Sequence, residues 1–302
     1  MKLLQIGTPH PRNSEFIRRA CTLFQIEYHQ TESYTVPDEG YDIIWAPCGW
    51  INPDAYPRSK ILFGPHFFVF PDPSNPLFTK ATAEHAKRCV YTCLSDWVGT
   101  LYNEFVPQEK QIIPFVALPF GIGDIQPKAA SATYDYDCIV YFKNRDPSLL
   151  TLCKSVLDAK GLRSKVYSYG SYQRQEYLDT LKRVRFAVWI GSHESQGFGF
   201  QECLATNTPI YVYDVKSMKE EYGRGTFVFA HHKEQLLATS GSYWSETCGL
   251  KVYTQEEFVG RLDEFIAAIP TYKPAAYIHE IMSDRACFQR ILDAFNTIKN
   301  PI

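Results

Sequence analysis

The sequence predicts an α/β protein made of two doubly wound, Rossmann-like domains, and three observations predict it. Short apolar runs alternate with segments of helical periodicity, which is the pattern of a parallel sheet covered by helices. The alternation stops in a Gly-, Pro-, Lys- and Ala-rich stretch at 121–134 and then restarts. The length of 302 residues corresponds to two domains at about 150 residues each.

In the first half, Leu3 to Ile6 reads as a strand that empties into the loop Gly7 to Asn13. Ser14 is expected to cap a helix carrying Phe16, Ile17, Ala20, Cys21 and Phe24 on one face. Further strands are predicted at 26–29, 42–45, 61–70, 90–94 and 112–116, with helices at 82–87 and 96–105. In the second half, strands are predicted at 138–142, 165–169, 186–190 and 210–213. Helices are predicted from Ser148 to about Ala159, at 173–184 and at 198–205. The tail from Tyr277 to Ile298 carries one apolar face, with a break near Ser283. The expected division is 1–122, 123–275 and a helical segment 276–302 that packs back on the first domain.

Composition narrows the function. Lys plus Arg number 31 against 33 Asp plus Glu, a net charge of −2, so there is no general attraction to nucleic acid or acidic lipid. The nine cysteines are scattered, without metal-ligand spacing, and most lie in apolar segments. Buried reduced thiols in a cytoplasmic protein are the expectation. The N-terminus has no signal h-region before Pro9, and no run reaches the ~18 apolar residues of a membrane span.

The stretch from Gly191 to Ala205 carries the chemistry. An apolar strand, 186–190, opens into a polar loop, and the turn Gly197-Phe198-Gly199 then starts a short helix. Ligands of open α/β sheets bind beyond the carboxyl ends of strands. Free N–H groups at a helix start favour an anion such as a diphosphate. Glu194 precedes this helix and Glu202 lies within it. Acidic acceptors beside an anion site suit neutral hydroxyls, such as those of a ribose and a sugar. Taken alone, the two glutamates also read as a solvated loop residue and a helix-surface residue.

Glu194 to Glu202 resembles the E-x7-E motif of retaining GT-B glycosyltransferases, especially the family 4-like group. The likeness extends upstream through Phe186 to His193. It extends downstream through Glu202-Cys203-Leu204-Ala205-Thr206-Asn207-Thr208-Pro209-Ile210, which is similar to E-A-M-A-x-G-x-P-V. Asn207 replaces the usual Gly, and both residues tolerate positive φ. Pro119 to Asp124 resembles an interdomain P-N-G-V-D segment, and 166–170 resembles the strand before a nucleotide pocket.

The resemblance implies a GT-B fold with two domains facing a cleft. It implies transfer of a sugar from a nucleotide-diphosphate sugar to a glycan or other hydroxyl acceptor, with retention, and without a cofactor. Glu194 would bind donor-sugar hydroxyls and Glu202 the ribose. Amides near Gly197, Phe198 and Gly199 would hold the diphosphate, and Gly170 would border the nucleotide. The basic pair after the first strand of the second domain is matched by Lys143 and Arg145, which also read as a solvated loop. Two cations and a helix start can neutralise a departing diphosphate without metal.

The acceptor is expected in the first domain, near Gly7, His10 and Arg12. His66 is a polar contact near the anomeric centre or a core histidine. Trp45, Trp50, Tyr56, Phe67 and Phe68 stack on sugars or fill the core. Asp135-Tyr136-Asp137 has D-x-D spacing but precedes a strand, so no metal is expected there. His231 and His232 read as exposed loop. The competing readings are a glycoside hydrolase using Glu194 and Glu202 and a non-catalytic nucleotide-sugar-binding protein.

Overall fold

The structure, a computed structural model, describes residues 1–65, 71–129, 133–222 and 237–299. The chain forms two compact units. The first comprises Met1–Gly123 and Met282–Ile302, the second Asp124–Ile281. Each holds one all-parallel sheet, so the predicted α/β class and the two sheets are present.

The first unit contains β1 (Lys2–Ile6), β2 (Glu27–Thr31), β3 (Ile43–Ala46), β4 (Lys60–Phe63), β5 (Cys89–Thr92) and β6 (Phe115–Val116), in the order β2-β1-β3-β4-β5-β6. Its helices are α1 (Pro11–Leu23), α2 (Pro76–Thr79), α3 (Ala83–Ala86) and α4 (Asp96–Phe105). The second unit contains β7 (Tyr136–Lys143), β8 (Ser164–Ser168), β9 (Val184–Gly191), β10 (Ile210–Tyr213) and β11 (Gly249–Val252), in the order β11-β10-β9-β7-β8. Its helices are α5 (Pro147–Ala159), α6 (Arg174–Leu181), α7 (Phe198–Ala205), α8 (Gln255–Gly260), α9 (Leu262–Ala268) and α10 (Pro274–Met282). The last helix, α11 (Asp284–Lys299), lies in the first unit.

The two sheets share one plan: the first strand of each lies between its second and third. The chain therefore reverses direction across the sheet between β1 and β3, and again between β7 and β9. At such a switch point the two neighbouring connections leave on opposite faces, so a crevice opens beyond the strand ends. Lys143 pairs in register with Gly191, so the second crevice lies at the ends of β7 and β9.

Helix starts differ from the sequence expectation in a consistent way. Ser14 lies inside α1, whose N-cap is His10; its ring Nδ1 accepts the Arg12 N–H at 3.3 Å. Ser148 likewise lies inside α5, which Asp146 caps by accepting the Ser148 N–H at 2.9 Å. Pro11 and Pro147 occupy the first helical positions, where a missing N–H costs nothing. The strand predicted at 61–70 ends at Phe63, and residues 66–70 lie outside the described residues. The strand predicted at 112–116 shrinks to Phe115–Val116, and the helix predicted at 173–184 gives way to β9 at Val184. Asn207 adopts φ +60°, the turn conformation required where Gly is usual.

The apolar tail is two helices that break at Ser283. α11 packs on α1: Phe288 meets Phe24 at 5.0 Å and Phe16 at 6.4 Å between ring centres. Asp284 binds the Arg19 guanidinium at 2.7 Å. Eight of the nine cysteines are buried and Cys48 is exposed; all are free thiols. Among the described residues no helix is long and apolar enough to cross a membrane.

Lys128 anchors the start of the second unit. Its ammonium donates to Val184 O at 2.7 Å, Arg185 O at 3.2 Å and Thr208 Oγ1 at 3.3 Å, all neutral acceptors. Burial without a carboxylate lowers its pKa from the ordinary 10.5 to about 8. Between those values the unfolded chain binds more protons than the native one, so this group's contribution rises with pH. Buried thiols such as Cys153, pushed up to about 12 by burial, act in the opposite sense. The comparison must therefore be between wild type and Lys128→Met. The stability advantage of wild type should grow by about 2 kcal/mol from pH 8 to pH 10. Urea denaturation at both pH values checks this; a flat difference would show that the ammonium stays charged in the fold.

Candidate functional site

The loops beyond β7 and β9 bring the second unit's predicted residues together. Lys143 ends β7, and its ammonium lies 2.8 Å from Glu194 Oε1, with both side chains largely buried. The same ammonium sits 4.4 Å from the centre of the Tyr169 ring. Lys143 O also accepts the Ser192 N–H at 2.9 Å, tying the β7 end to the loop that carries Glu194.

α7 begins at Gly197, which holds φ +82° as N-cap. A side chain at that φ is strained, and the cap makes no side-chain hydrogen bond to the first turn. The first amides of α7, at Phe198 and Gly199, thus lack the usual Ser, Asp or Asn cap. The turn is held from behind, where Gln201 donates to Gln196 O at 2.9 Å and Gln196 donates to Gln201 Oε1 at 3.2 Å. Gly199 meets the hydroxyl of Tyr172, 3.4 Å from where a Cβ would stand, and its carbonyl accepts from Tyr177 at 2.8 Å. Burial above all raises the Tyr172 hydroxyl's pKa, with Glu202 and Glu194 adding to the effect. It therefore stays protonated and able to donate. Tyr141 stacks on Trp189 at 3.8 Å beneath this floor.

Glu202, on α7, is 3% exposed, and Arg174 at the start of α6 donates to its Oε1 at 2.7 Å. Beside Arg174 lies a cavity of about 630 Å³ lined by Lys165, Tyr167, Gly170, Tyr172, Gln173 and Glu176. Gly170 thus stands in the turn after β8, on the wall of this cavity.

Arg145 sits differently from an exposed phosphate ligand. It is 4% exposed, and its guanidinium donates to Gly191 O at 3.0 Å, Tyr213 O at 3.2 Å and Glu220 Oε2 at 3.2 Å. These bonds join the ends of β9 and β10 to the segment at Glu220.

In the first unit, Gly7 directly follows β1 and donates to Thr31 O at 2.7 Å. His10 caps α1, and Arg12 pairs with Glu15 at 3.7 Å. Burial first, and the Arg12 charge second, lower the His10 pKa, so this ring is neutral near pH 7. Trp45 and Tyr56 are fully buried core, and Trp50 stacks on Phe63 at 5.3 Å. His66, Phe67, Phe68, His231 and His232 lie outside the described residues. Asp135 and Asp137 stand at the opposite end of β7 from Lys143. Asp135 pairs with Arg183 at 2.8 Å, and Asp137 with Arg185 at 3.2 Å. Among the described residues no group of three or more His, Cys, Asp or Glu is placed to hold a metal ion.

Sequence reasoning missed Tyr169, Tyr172 and Arg174. Their signal was present: Tyr169 ends the predicted strand, Tyr172 lies in the loop after it and Arg174 lies at the start of the predicted helix, all around Gly170 at the carboxyl end of a strand, where a parallel sheet places ligands.

No family model matches the chain, and no curated protein matches its sequence. Solved structures do share its fold. One is AviGT4, a glycosyltransferase involved in avilamycin A biosynthesis, with a TM-score of 0.61 and 11% identity over 100% of this chain and 99% of that one. Another is sucrose-phosphate synthase from Thermosynechococcus elongatus, with a TM-score of 0.56 and 10% identity over 99% of each chain. The chain accordingly has the two-sheet parallel α/β fold of GT-B glycosyltransferases.

Proposed function

We propose that the protein is a glycosyltransferase that moves a hexosyl or pentosyl unit from a nucleotide-diphosphate sugar to a glycan or other hydroxyl acceptor, with retention and without metal. The observation that carries this reading is the Lys143–Glu194 pair, 2.8 Å apart at the β7–β9 switch point and three residues ahead of the Gly197 helix start. A cation, a helix start without a side-chain cap and an oriented carboxylate together suit a charged diphosphate attached to a neutral, hydroxyl-rich sugar.

In this reading the amides at Phe198 and Gly199 bind the diphosphate, and Lys143 neutralises the charge that grows on it as the glycosidic bond breaks. Glu194 accepts hydrogen bonds from the donor sugar, with Lys143 fixing its direction. Glu202 accepts from the ribose, and the cavity beside Gly170 takes the rest of the nucleoside. Arg145 holds the strand ends in place rather than touching the diphosphate. Gly7, His10 and Arg12 belong to the acceptor side, with His10 neutral. A glycoside hydrolase is less well supported. Hydrolysis needs two carboxyl groups on opposite sides of one glycosidic bond, whereas Glu194 and Glu202 are each paired with a cation of their own, Lys143 and Arg174.

A thermal-shift panel of nucleotide sugars and nucleoside diphosphates tests the reading. A site ligand at 100 times its Kd should add about 2.7 kcal/mol of apparent stability. Stabilisation by no nucleotide would reject the function. With the ligand in hand, calorimetry separates the glutamates. Glu202→Ala should weaken the sugar-free diphosphate at least tenfold, and Glu194→Ala should leave it nearly unchanged while losing turnover. Equal losses in both would reject the division of roles. The anomeric proton coupling of the product should match that of the donor, and activity should survive a chelator.

A further inference from the structure

Asp214 is a buried carboxylate of the second unit that accepts five hydrogen bonds, and none of the roles above uses it. It follows β10 directly, and its side chain is 1% exposed. Oδ1 accepts from Val215 N at 2.9 Å, Ser240 N at 2.7 Å and Ser240 Oγ at 2.7 Å. Oδ2 accepts from Thr239 Oγ1 at 2.7 Å and from the Lys251 ammonium at 2.8 Å. Lys251, on β11, also donates to Thr239 Oγ1 at 3.1 Å and Gly241 O at 3.2 Å, and it lies 5.3 Å from the centre of the Trp244 ring. Burial alone would raise the Asp214 pKa, but the Lys251 charge and these donors bring it below the ordinary value. The carboxylate is therefore ionised near neutral pH.

Most of these bonds converge on one short segment, 239–242: Thr239 and Ser240 bind Asp214, and Thr239 and Gly241 bind Lys251. That segment in turn grips Glu194 on both sides of its peptide: Thr239 O accepts the Glu194 N–H at 3.0 Å, and Ser242 Oγ donates to Glu194 O. A loop residue ordinarily has rotational freedom that must be removed before its side chain can act with a fixed direction. Here Lys143 fixes the carboxylate, while the 239–242 segment fixes the backbone.

We propose that Asp214 and Lys251 are positioning residues for Glu194, acting through the 239–242 segment, and thereby set recognition of the donor's sugar rather than of its nucleotide. This rests on the glycosyltransferase reading for the word donor, but the mechanical claim stands on the ligand-free protein. A buried pair that merely stabilised the sheet would weaken all ligands together. A pair acting through Glu194 weakens only what Glu194 touches.

The test uses Asp214→Asn, with Lys251→Met as the second variant should the first fail to fold. In the ligand-free proteins, hydrogen exchange at the peptide containing the Glu194 amide should accelerate at least tenfold in either variant. Exchange at Glu194 that matches wild type would overturn the proposal whatever the protein binds. Calorimetry then compares the nucleoside diphosphate with its nucleotide sugar, both taken from the panel above. The variants should bind the nucleoside diphosphate within about threefold of wild type while losing the extra affinity contributed by the sugar. In a Glu194→Gln background Asp214→Asn should cause no further loss of turnover, because the two act as one unit. Parallel losses of both ligands, or additive losses of turnover, would overturn the positioning role. A wild type that binds no nucleotide would reject the glycosyltransferase reading, and hydrogen exchange would still decide whether Asp214 holds Glu194.

Discussion

Replacing Lys143 with alanine is expected to lower kcat by about 100- to 1,000-fold, the usual loss when one donor to a developing negative charge is removed. The ammonium stands at the end of β7 and contacts Glu194 at 2.8 Å, so in the proposed reading it serves the leaving group and the sugar-binding carboxylate together. Charge on the diphosphate increases between ground state and transition state, so turnover should suffer more than binding of the sugar-free diphosphate. Lys143→Arg should recover only part of the rate. The longer, planar guanidinium cannot keep both the Glu194 contact and the 4.4 Å position over Tyr169. Steady-state kinetics with the best nucleotide sugar, paired with calorimetry, read the split. A variant that loses affinity for the nucleoside diphosphate by as much as it loses kcat would make Lys143 a ground-state contact instead.

Arg145→Ala should act on stability by about 3 kcal/mol, the scale of removing one member of a buried charged network. The guanidinium satisfies two backbone carbonyls at the ends of β9 and β10 and one Glu220 oxygen, with 4% of the side chain exposed. Deleting it leaves those carbonyls buried without their donor and opens a space beside Tyr213, whose ring lies 5.0 Å from the guanidinium. Arg145→Lys should recover little, because one ammonium cannot span three acceptors in a fork. Urea denaturation measures the loss, and Arg145→Ala assayed well below its midpoint should keep most of its kcat. A fully stable variant that is nevertheless inactive would return Arg145 to the diphosphate.

Much of the fold was legible because its causes are local. The run Phe186 to Ile190 is apolar at every position, as a strand covered on both faces must be, and Gly197 marks the point where the chain turns into α7. Helix starts were misplaced by a few residues because Ser14 and Ser148 look like caps, while the prolines before them had already set the first turn.

The sequence by itself determined the two α/β units, the loop that follows β9, and the presence of two glutamates and two cations near it. Only the tertiary structure decided how these charges are partnered. Lys143 and Glu194 meet because β7 and β9 are neighbours in the sheet, which follows from strand order and from no periodicity in the chain. Arg174 reaches Glu202 across 28 residues, and Lys251 reaches Asp214 across 37. Those separations carry no local signal, since a charged residue in a loop reads the same whether it faces water or a carboxylate. Arg145 shows the same limit in reverse. Its position after β7 marks it as a cation near the site, but the direction of its guanidinium depends on where the carbonyls of Gly191 and Tyr213 come to rest, and packing of β9 and β10 alone sets that.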